Sequence, residues 1–159
     1  MKDLEKFKEK PSSDMPLGAL LSTIHRIQNN HINHETKKLG INVTQAIYLL
    51  KLLCEENMTQ DKLANHYHID KGAVARGLNQ LEKDQFIIRK RNQTNKRCYQ
   101  ISLTQKGEKT AKQIMKLNNK WEEHICKNIK PEKKEELQEN LKIIALEAMK
   151  FNEKIIKGR

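Results

Sequence analysis

Two helix-start signals follow each other closely near the middle of the chain. Thr59 and Asp70 each carry a side-chain oxygen that can accept a free backbone N–H group in the first turn of a helix. Met58 and Ile69 precede them and can pack onto that turn. Only residues 66–68 then remain to connect the two helices. A connection this short predicts a helix-turn-helix.

The second helix of this pair, predicted over residues 70–83, has two chemically different faces. Val74, Leu78 and Leu81 recur at four- and three-residue steps and therefore share one apolar face. The opposite face carries Gly72, Arg76, Asn79 and Lys83. Because that face is polar, cationic and free of carboxylate, it suits the base edges and phosphates of a DNA major groove.

A short basic hairpin is predicted directly after this helix, over residues 86–103. Its first strand begins with the apolar run Phe86-Ile87-Ile88. Five cations and no acid occur between Phe86 and Thr104, namely Arg89, Lys90, Arg91, Lys96 and Arg97. Such a loop attracts the phosphate backbone of nucleic acid. The helix-turn-helix and the hairpin together predict a winged helix, with the hairpin as its wing.

The composition fits a small nucleic-acid-binding domain. The chain has 159 residues, enough for one domain, and a formal net charge of +11 that attracts polyanions. Aromatic residues make up only 4%, and the densest basic cluster lies in the predicted hairpin, which disfavours a membrane surface as the partner. The sequence has neither an apolar run of about 18 residues nor a signal-peptide core, so we expect a cytoplasmic protein.

Other predicted helices flank the winged helix. One begins near Asn42, with Gln45 completing a capping box, and its apolar run is the expected centre of the core. The last helix carries apolar residues at alternating steps of four and three: Leu137, Leu141, Ile144, Ala148, Phe151 and Ile155. Such a heptad seam needs a second helix, in this chain or in another copy, to receive its side chains.

The expected fold class is mainly α-helical with a small β-hairpin wing. The expected organisation is a flexible leader (1–14) and a single domain (15–157), which comprises helical dimerisation regions (15–39 and 106–157) and a DNA-binding lobe (42–104) with its helix-turn-helix (59–83) and wing (86–103). Gly40 is expected to end the first long helix.

Five segments resemble motifs of the MarR family of transcription regulators. They are Leu63-Ala64, Asp70-Lys71-Gly72-Ala73-Val74-Ala75-Arg76, Phe86-Ile87-Ile88-Arg89, Asn95-Lys96-Arg97 and Leu103-Thr104-Gln105-Lys106-Gly107. In the family the corresponding motifs lie in the two reading helices, before the wing, at its tip and directly after it. The resemblance extends over essentially residues 16–156.

The resemblance implies a homodimer that presents two winged-helix lobes to a pseudo-palindromic operator in double-stranded DNA. It also implies repression that a small aromatic or anionic effector relieves. Arg76 would be the recognition-helix arginine, and Arg97 would reach the minor groove. The expected DNA-binding residues are Lys71, Gly72, Arg76, Asn79, Lys83, Arg89, Arg91, Lys96 and Arg97. Burial and polarity suggest His25, Tyr48 and Trp121 as ligand-binding candidates.

The chain departs from the family pattern in the recognition helix and at the wing tip. Gly72, Ala73 and Ala75 stand where hydroxyl residues are usual, and Asn95 stands in place of the wing aspartate. Fewer donors could make sequence discrimination modest. The alternative function is therefore an architectural or weakly specific nucleic-acid-binding protein, and a third is a ligand or metal sensor whose DNA role is secondary.

Neither an enzyme motif nor a complete metal site is found. A glycine-rich phosphate loop, a Gly-x-Ser-x-Gly elbow and a His-Glu-x-x-His pair are absent, so we expect no catalytic residue and no cofactor. His31 with His34, and His66 with His68, offer only two ligands each. His68 is instead expected to adopt a positive backbone angle in the turn.

The three cysteines are odd in number and far apart, which favours reduced thiols. Cys54 and Cys126 are expected to fill the core. Cys98, next to Arg97, is the candidate for a modestly activated thiol.

Overall fold

The computed structural model describes residues 2–91 and 99–157 and confirms a mainly α-helical fold with a small antiparallel sheet. Its elements are α1 (Lys2–Glu9), a 3-10 turn (Ser12–Asp14), α2 (Leu17–Lys38), α3 (Val43–Cys54), β1 (Met58–Thr59), α4 (Gln60–Tyr67), α5 (Lys71–Lys83), β2 (Ile87–Arg91), β3 (Tyr99–Leu103), α6 (Gln105–Cys126) and α7 (Pro131–Lys157). The chain divides into two compact units, Met1–Asn118 and Asn119–Arg159. Within the described residues, no helix has both the length and the apolar character needed to cross a membrane.

The segment expected to be a flexible leader contains regular structure. It forms α1 and the 3-10 turn, neither of which the sequence analysis predicted. Leu4 and Phe7 on α1 are 60% and 47% exposed. Lys and Glu dominate this segment, so it lacks the apolar stripe by which a helix is recognised in a sequence.

The predicted capping residues begin their helices as expected. Asn42 Oδ1 accepts from the backbone N–H of Gln45, whose Oε1 accepts from the N–H of Asn42, both at 2.9 Å. Thr59 Oγ1 accepts from Lys62 at 3.3 Å. Asp70 Oδ1 accepts from Ala73 at 2.9 Å. These short-range bonds confirm the predicted starts of α3, α4 and α5.

The turn between α4 and α5 is closed by a left-handed residue. His68 has φ 52° and ψ 41°, and its N–H donates to the carbonyl groups of Ala64 and Asn65. This confirms the expected positive angle. An ion pair of 2.8 Å between Lys71 Nζ and Asp61 Oδ1 also joins the two helices.

The sheet has three strands in the order β1-β3-β2, with antiparallel neighbours. The predicted hairpin is present, with Ile87 opposite Leu103 and Arg91 opposite Tyr99. The sequence does not predict the remaining strand, β1, because it is only two residues long and Thr59 also caps α4. Met58 lies opposite Ile101 and is 2% exposed, so it forms part of the sheet's buried face.

The core of the first unit lies between α3, α4, α5, α6 and the sheet. Its fully buried large side chains include Tyr48, Leu49, Leu63, Leu78, Leu81, Ile87 and Ile114. A Cβ added at Gly77 would lie 2.9 Å from Cε2 of Tyr48. Since Tyr48 is 0% exposed and its ring is enclosed, glycine at 77 allows α5 to approach α3 this closely.

The start of α6 is joined to the end of α5 by a cluster of short contacts. Thr104 Oγ1 accepts from the N–H of Gly107 at 3.0 Å and donates to the carbonyl of Gln85 at 2.7 Å. A Cβ at Gly107 would lie only 1.9 Å from the carbonyl oxygen of Phe86. The Leu-Thr-x-x-Gly segment therefore provides a cap and a close backbone approach.

The second unit contains the end of α6 and the whole of α7. Lys134 Nζ lies 2.6 Å from Glu122 Oε1, and this hydrogen bond raises the pKa of Lys134. None of the described α7 side chains is buried. Seam residues of α7 are exposed, including Leu137, Ile144, Phe151 and Ile155.

Gly107→Ala is expected to lower the free energy of unfolding by about 3 kcal/mol or more, because the added methyl group would displace backbone rather than a flexible side chain. Urea denaturation followed by circular dichroism measures this. Gly18→Ala is the matched control, since no atom lies within 4 Å of its added Cβ. Equal stabilities for the two variants would contradict the close approach at Phe86.

Candidate nucleic-acid interface

The outward face of α5 is arranged as the sequence predicts. Val74, Leu78 and Leu81 are 0% exposed and fix the helix on the core. On the opposite side of α5, the exposed residues are Gly72, Arg76, Asn79 and Lys83. The structure therefore presents an uninterrupted polar face on the second helix of the helix-turn-helix.

Arg76 lies along the helix toward its N-terminus. A Cβ built on Gly72 would lie 3.5 Å from Arg76 Nη1 and 3.0 Å from Asp70 Oδ1. The guanidinium therefore lies one turn before Arg76, at ordinary van der Waals distance from where a side chain at position 72 would begin. The arginine is placed to donate to a phosphate or to a guanine edge, for which its planar fork is suited.

Lys71 lies at the first position of α5 and is paired with Asp61. The hydrogen bond to Asp61 raises the pKa of Lys71. Both side chains are largely exposed, at 66% and 59%, so water weakens the pair. Lys71 therefore remains a cationic side chain at the start of α5, in a weak ion pair with Asp61.

Arg89 is directed toward α5 rather than to the outside of the wing. Side chains alternate along a strand, so Arg89 shares the face of β2 that carries buried Ile87. Its Nη2 donates to Asn79 Oδ1 at 2.7 Å, and its side chain is only 19% exposed. Arg89 is among the DNA contacts predicted from the sequence, and the structure places its side chain between the wing and the recognition helix. The alternation of side chains along β2, which puts Arg89 on the same face as Ile87, could have predicted this direction from the sequence.

The remaining described wing cations are exposed. A hydrogen bond with Tyr99 raises the pKa of Arg91, which lies opposite it in the sheet. Lys90 is exposed on the other face of β2 and was omitted from the predicted site. The predicted contacts Lys96 and Arg97, together with Asn95 and Cys98 of the wing tip, lie outside the described residues.

One of the three predicted ligand-binding residues lines a cavity. The cavity has a volume of about 170 Å³ and is lined by His25, Gln28, Asn29, Ile32, Val43, Ala46, Ile47, Leu50, Ile114 and Asn118. His25 Nε2 lies 2.9 Å from Asn29 Nδ2. Tyr48 is buried in the core below α5 and does not line this cavity, and its hydroxyl has no partner among the described residues. Trp121 belongs to the second unit.

Histidine and cysteine do not assemble into a site within residues 2–91 and 99–157. No group of three His, Cys, Asp or Glu side chains there is placed to hold a metal ion. His34 lies 3.9 Å from Glu35. Cys54 is exposed, and Cys126 is partly exposed, so the prediction that they fill the core is wrong. Cys54 ends α3 at the surface.

An exposed cationic reading helix beside a basic hairpin wing defines a winged helix-turn-helix DNA-binding protein. The MarR family model matches residues 41–99 of this chain. HTH-type transcriptional regulator BilQ from Clostridium symbiosum (strain WAL-14163) is 30% identical over 103 residues, which are 65% of this chain and 72% of that protein. The chain belongs to the MarR family and is a DNA-binding transcriptional regulator.

Solved structures agree with this assignment. The crystal structure of MarR has a TM-score of 0.79 and 30% identity, with coverage of 91% of this chain and 98% of that one. A putative MarR family regulator from Listeria monocytogenes, solved in complex with 26mer DNA, has a TM-score of 0.78 and 26% identity, with coverage of 84% and 89%. Family members are transcriptional regulators rather than enzymes.

Arg76→Ala is expected to cost about 1–3 kcal/mol of binding to a preferred sequence and less on random DNA, if Arg76 reads a guanine edge. Fluorescence anisotropy with both duplexes at fixed salt measures this difference. Arg26→Ala removes the same charge from an exposed position of α2 and is the control. Equal losses on both duplexes would assign Arg76 to phosphate binding instead.

Proposed function

We propose that this chain acts as a homodimeric repressor that binds a pseudo-palindromic operator with two winged-helix lobes. The observation that supports this most is the exposed apolar surface on α2 and α7. On α2 it comprises Leu17, Leu21, Ile24 and Ile27, which are 39–49% exposed. An exposed apolar surface of this kind on a helix is typical of an interface. A second copy offers matching stripes, and homodimers are typical of the family.

The dimer matters for recognition because one lobe offers few base contacts. Two recognition helices held about one helical turn of DNA apart read two half-sites, so their binding free energies combine. The positive charge of each lobe adds salt-dependent affinity through counterion release. A dimer bound across a promoter would exclude RNA polymerase, which is how we propose it represses.

Ile144→Glu places a charge in the heptad seam of α7 and is expected to convert the dimer to a monomer, with loss of operator binding. Sedimentation equilibrium at micromolar protein gives the mass, and footprinting gives the operator length. Gln138→Glu adds the same charge to an exposed α7 position outside the seam and should leave the mass unchanged. If the unaltered chain has the mass of a monomer at micromolar concentration, the dimer proposal is wrong.

We further propose that the cavity beside His25 admits a small aromatic or anionic effector that releases DNA. Its volume of about 170 Å³ is sufficient for a single ring. Most of its lining is apolar, and His25 and Asn29 supply polar groups at one side. Because Ile47 lines the cavity and the adjacent Tyr48 packs under Gly77, an occupant that shifts α3 would also displace α5.

Benzoate, phenylacetate and 4-hydroxybenzoate, each with a single ring, are the probes for this cavity. At least one is expected to raise the melting temperature of the chain and to lower operator affinity, and His25→Ala should reduce both effects. His34→Ala, on the same helix but outside the cavity lining, is the control. If all three compounds leave the melting temperature and the affinity unchanged, the effector proposal fails while the operator proposal stands.

A further inference from the structure

Three side chains form a cluster where the wing meets the recognition helix. Arg89 Nη2 donates to Asn79 Oδ1 at 2.7 Å. Arg89 Nε lies 3.4 Å from Glu82 Oε2, which makes an ion pair but not a hydrogen bond, and Nε has no other hydrogen-bond partner among the described residues. Asn79 and Glu82 are one turn apart and therefore neighbours on α5. A single arginine from β2 thus contacts two adjacent groups of the helix that faces DNA.

The strand and the local charge hold Arg89 in this position. Ile87 on the same strand face is 1% exposed, and the Arg89 side chain is 19% exposed. A guanidinium at this depth needs a compensating charge, which Glu82 provides. Turning outward to DNA would require Arg89 to leave both partners.

The position of Arg89 determines whether the oxygen or the nitrogen of the Asn79 amide remains available to DNA. A guanidinium can only donate, so the amide atom beside it must be the carbonyl oxygen. A free asparagine pairs with adenine through both its oxygen and its nitrogen. Asn79 has its oxygen directed to Arg89, so it offers the two N–H donors of Nδ2 to DNA.

We propose that Asn79 reads guanine in preference to adenine at one base pair of each half-site, and that Arg89 and Glu82 are positioning residues for this preference. In the major groove guanine presents two acceptors, N7 and O6, whereas adenine presents a donor amino group in place of O6. Two amide donors match the guanine edge and oppose the adenine amino group. The inference rests on the proposed operator binding.

The test selects binding sequences from a duplex pool randomised over about two helical turns. The unaltered full chain should select a motif with guanine at a position where Asn79→Ala abolishes the preference. Arg89→Met removes the guanidinium and frees the Asn79 oxygen, so the preference for guanine over adenine at that position should fall from about tenfold to near unity. Arg89→Lys keeps a cationic donor and should restore part of it.

Lys90→Met is the matched control, because it removes the same charge from the neighbouring exposed residue. It should change overall affinity but no base preference. Thermal melts establish that each variant is folded. A uniform loss at all positions in Arg89→Met, or adenine at the Asn79-dependent position in the unaltered chain, would overturn the inference.

The same selection separates this inference from the proposed function. A motif that is selected by the unaltered chain but is insensitive to Asn79→Ala overturns only the role of Asn79. Failure of the unaltered chain to select any motif overturns operator recognition and, with it, the preference assigned to Asn79.

Discussion

The carbonyl oxygen of Phe86 joins the DNA-reading elements to the long helix α6. It accepts from the backbone N–H of Thr104 at 3.0 Å, lies 3.2 Å from the Thr104 hydroxyl, and faces the bare Cα of Gly107. Lys106 closes the junction by donating to the carbonyl of Asp84 at 2.8 Å, with its ammonium 4.1 Å from the centre of the Phe86 ring. Phe86 lies between α5 and β2, and Thr104 caps α6. The peptide group of Phe86 therefore fixes α5, the wing and the start of α6 relative to one another.

A second contact of the same kind couples α3 to the recognition helix. The Tyr48 ring fills the space that a side chain at position 77 would occupy, so α3 and α5 are closely packed at this point. Closely packed interfaces respond to displacement by moving as units rather than by compressing. Under the effector role proposed for the cavity beside Ile47 and Ala46, an occupant would alter DNA binding by moving α3, without touching DNA.

Local hydrogen bonds account for most of what the sequence predicts correctly. The caps at Asn42, Thr59 and Asp70 each join residues three apart, so the helix starts are visible in the sequence itself. By contrast, β1 forms only because it pairs with β3, and Arg89 points inward only because it packs against α5. Neither partner is a near neighbour along the chain. The wing was therefore predicted from its charge, whereas the fold was needed to show which of its cations packs against α5. The prediction that Cys54 is buried was wrong because Cys54 is the last residue of α3, and the apolar run of this helix ends at the surface.

Few side chains remain on α5 to discriminate between base pairs. Gly72 has no side chain, and Lys71 and Lys83 are flexible cations that favour phosphate over any particular base. Arg76 and Asn79 are the exposed groups whose planar geometry can distinguish base edges. An asparagine free to rotate would accept several edges, whereas one held by Arg89 has a single orientation. A recognition helix with so few donors therefore gains selectivity from the ion pair behind it, and this gives Glu82 a reason to lie beside a DNA-binding face where its negative charge would otherwise weaken binding.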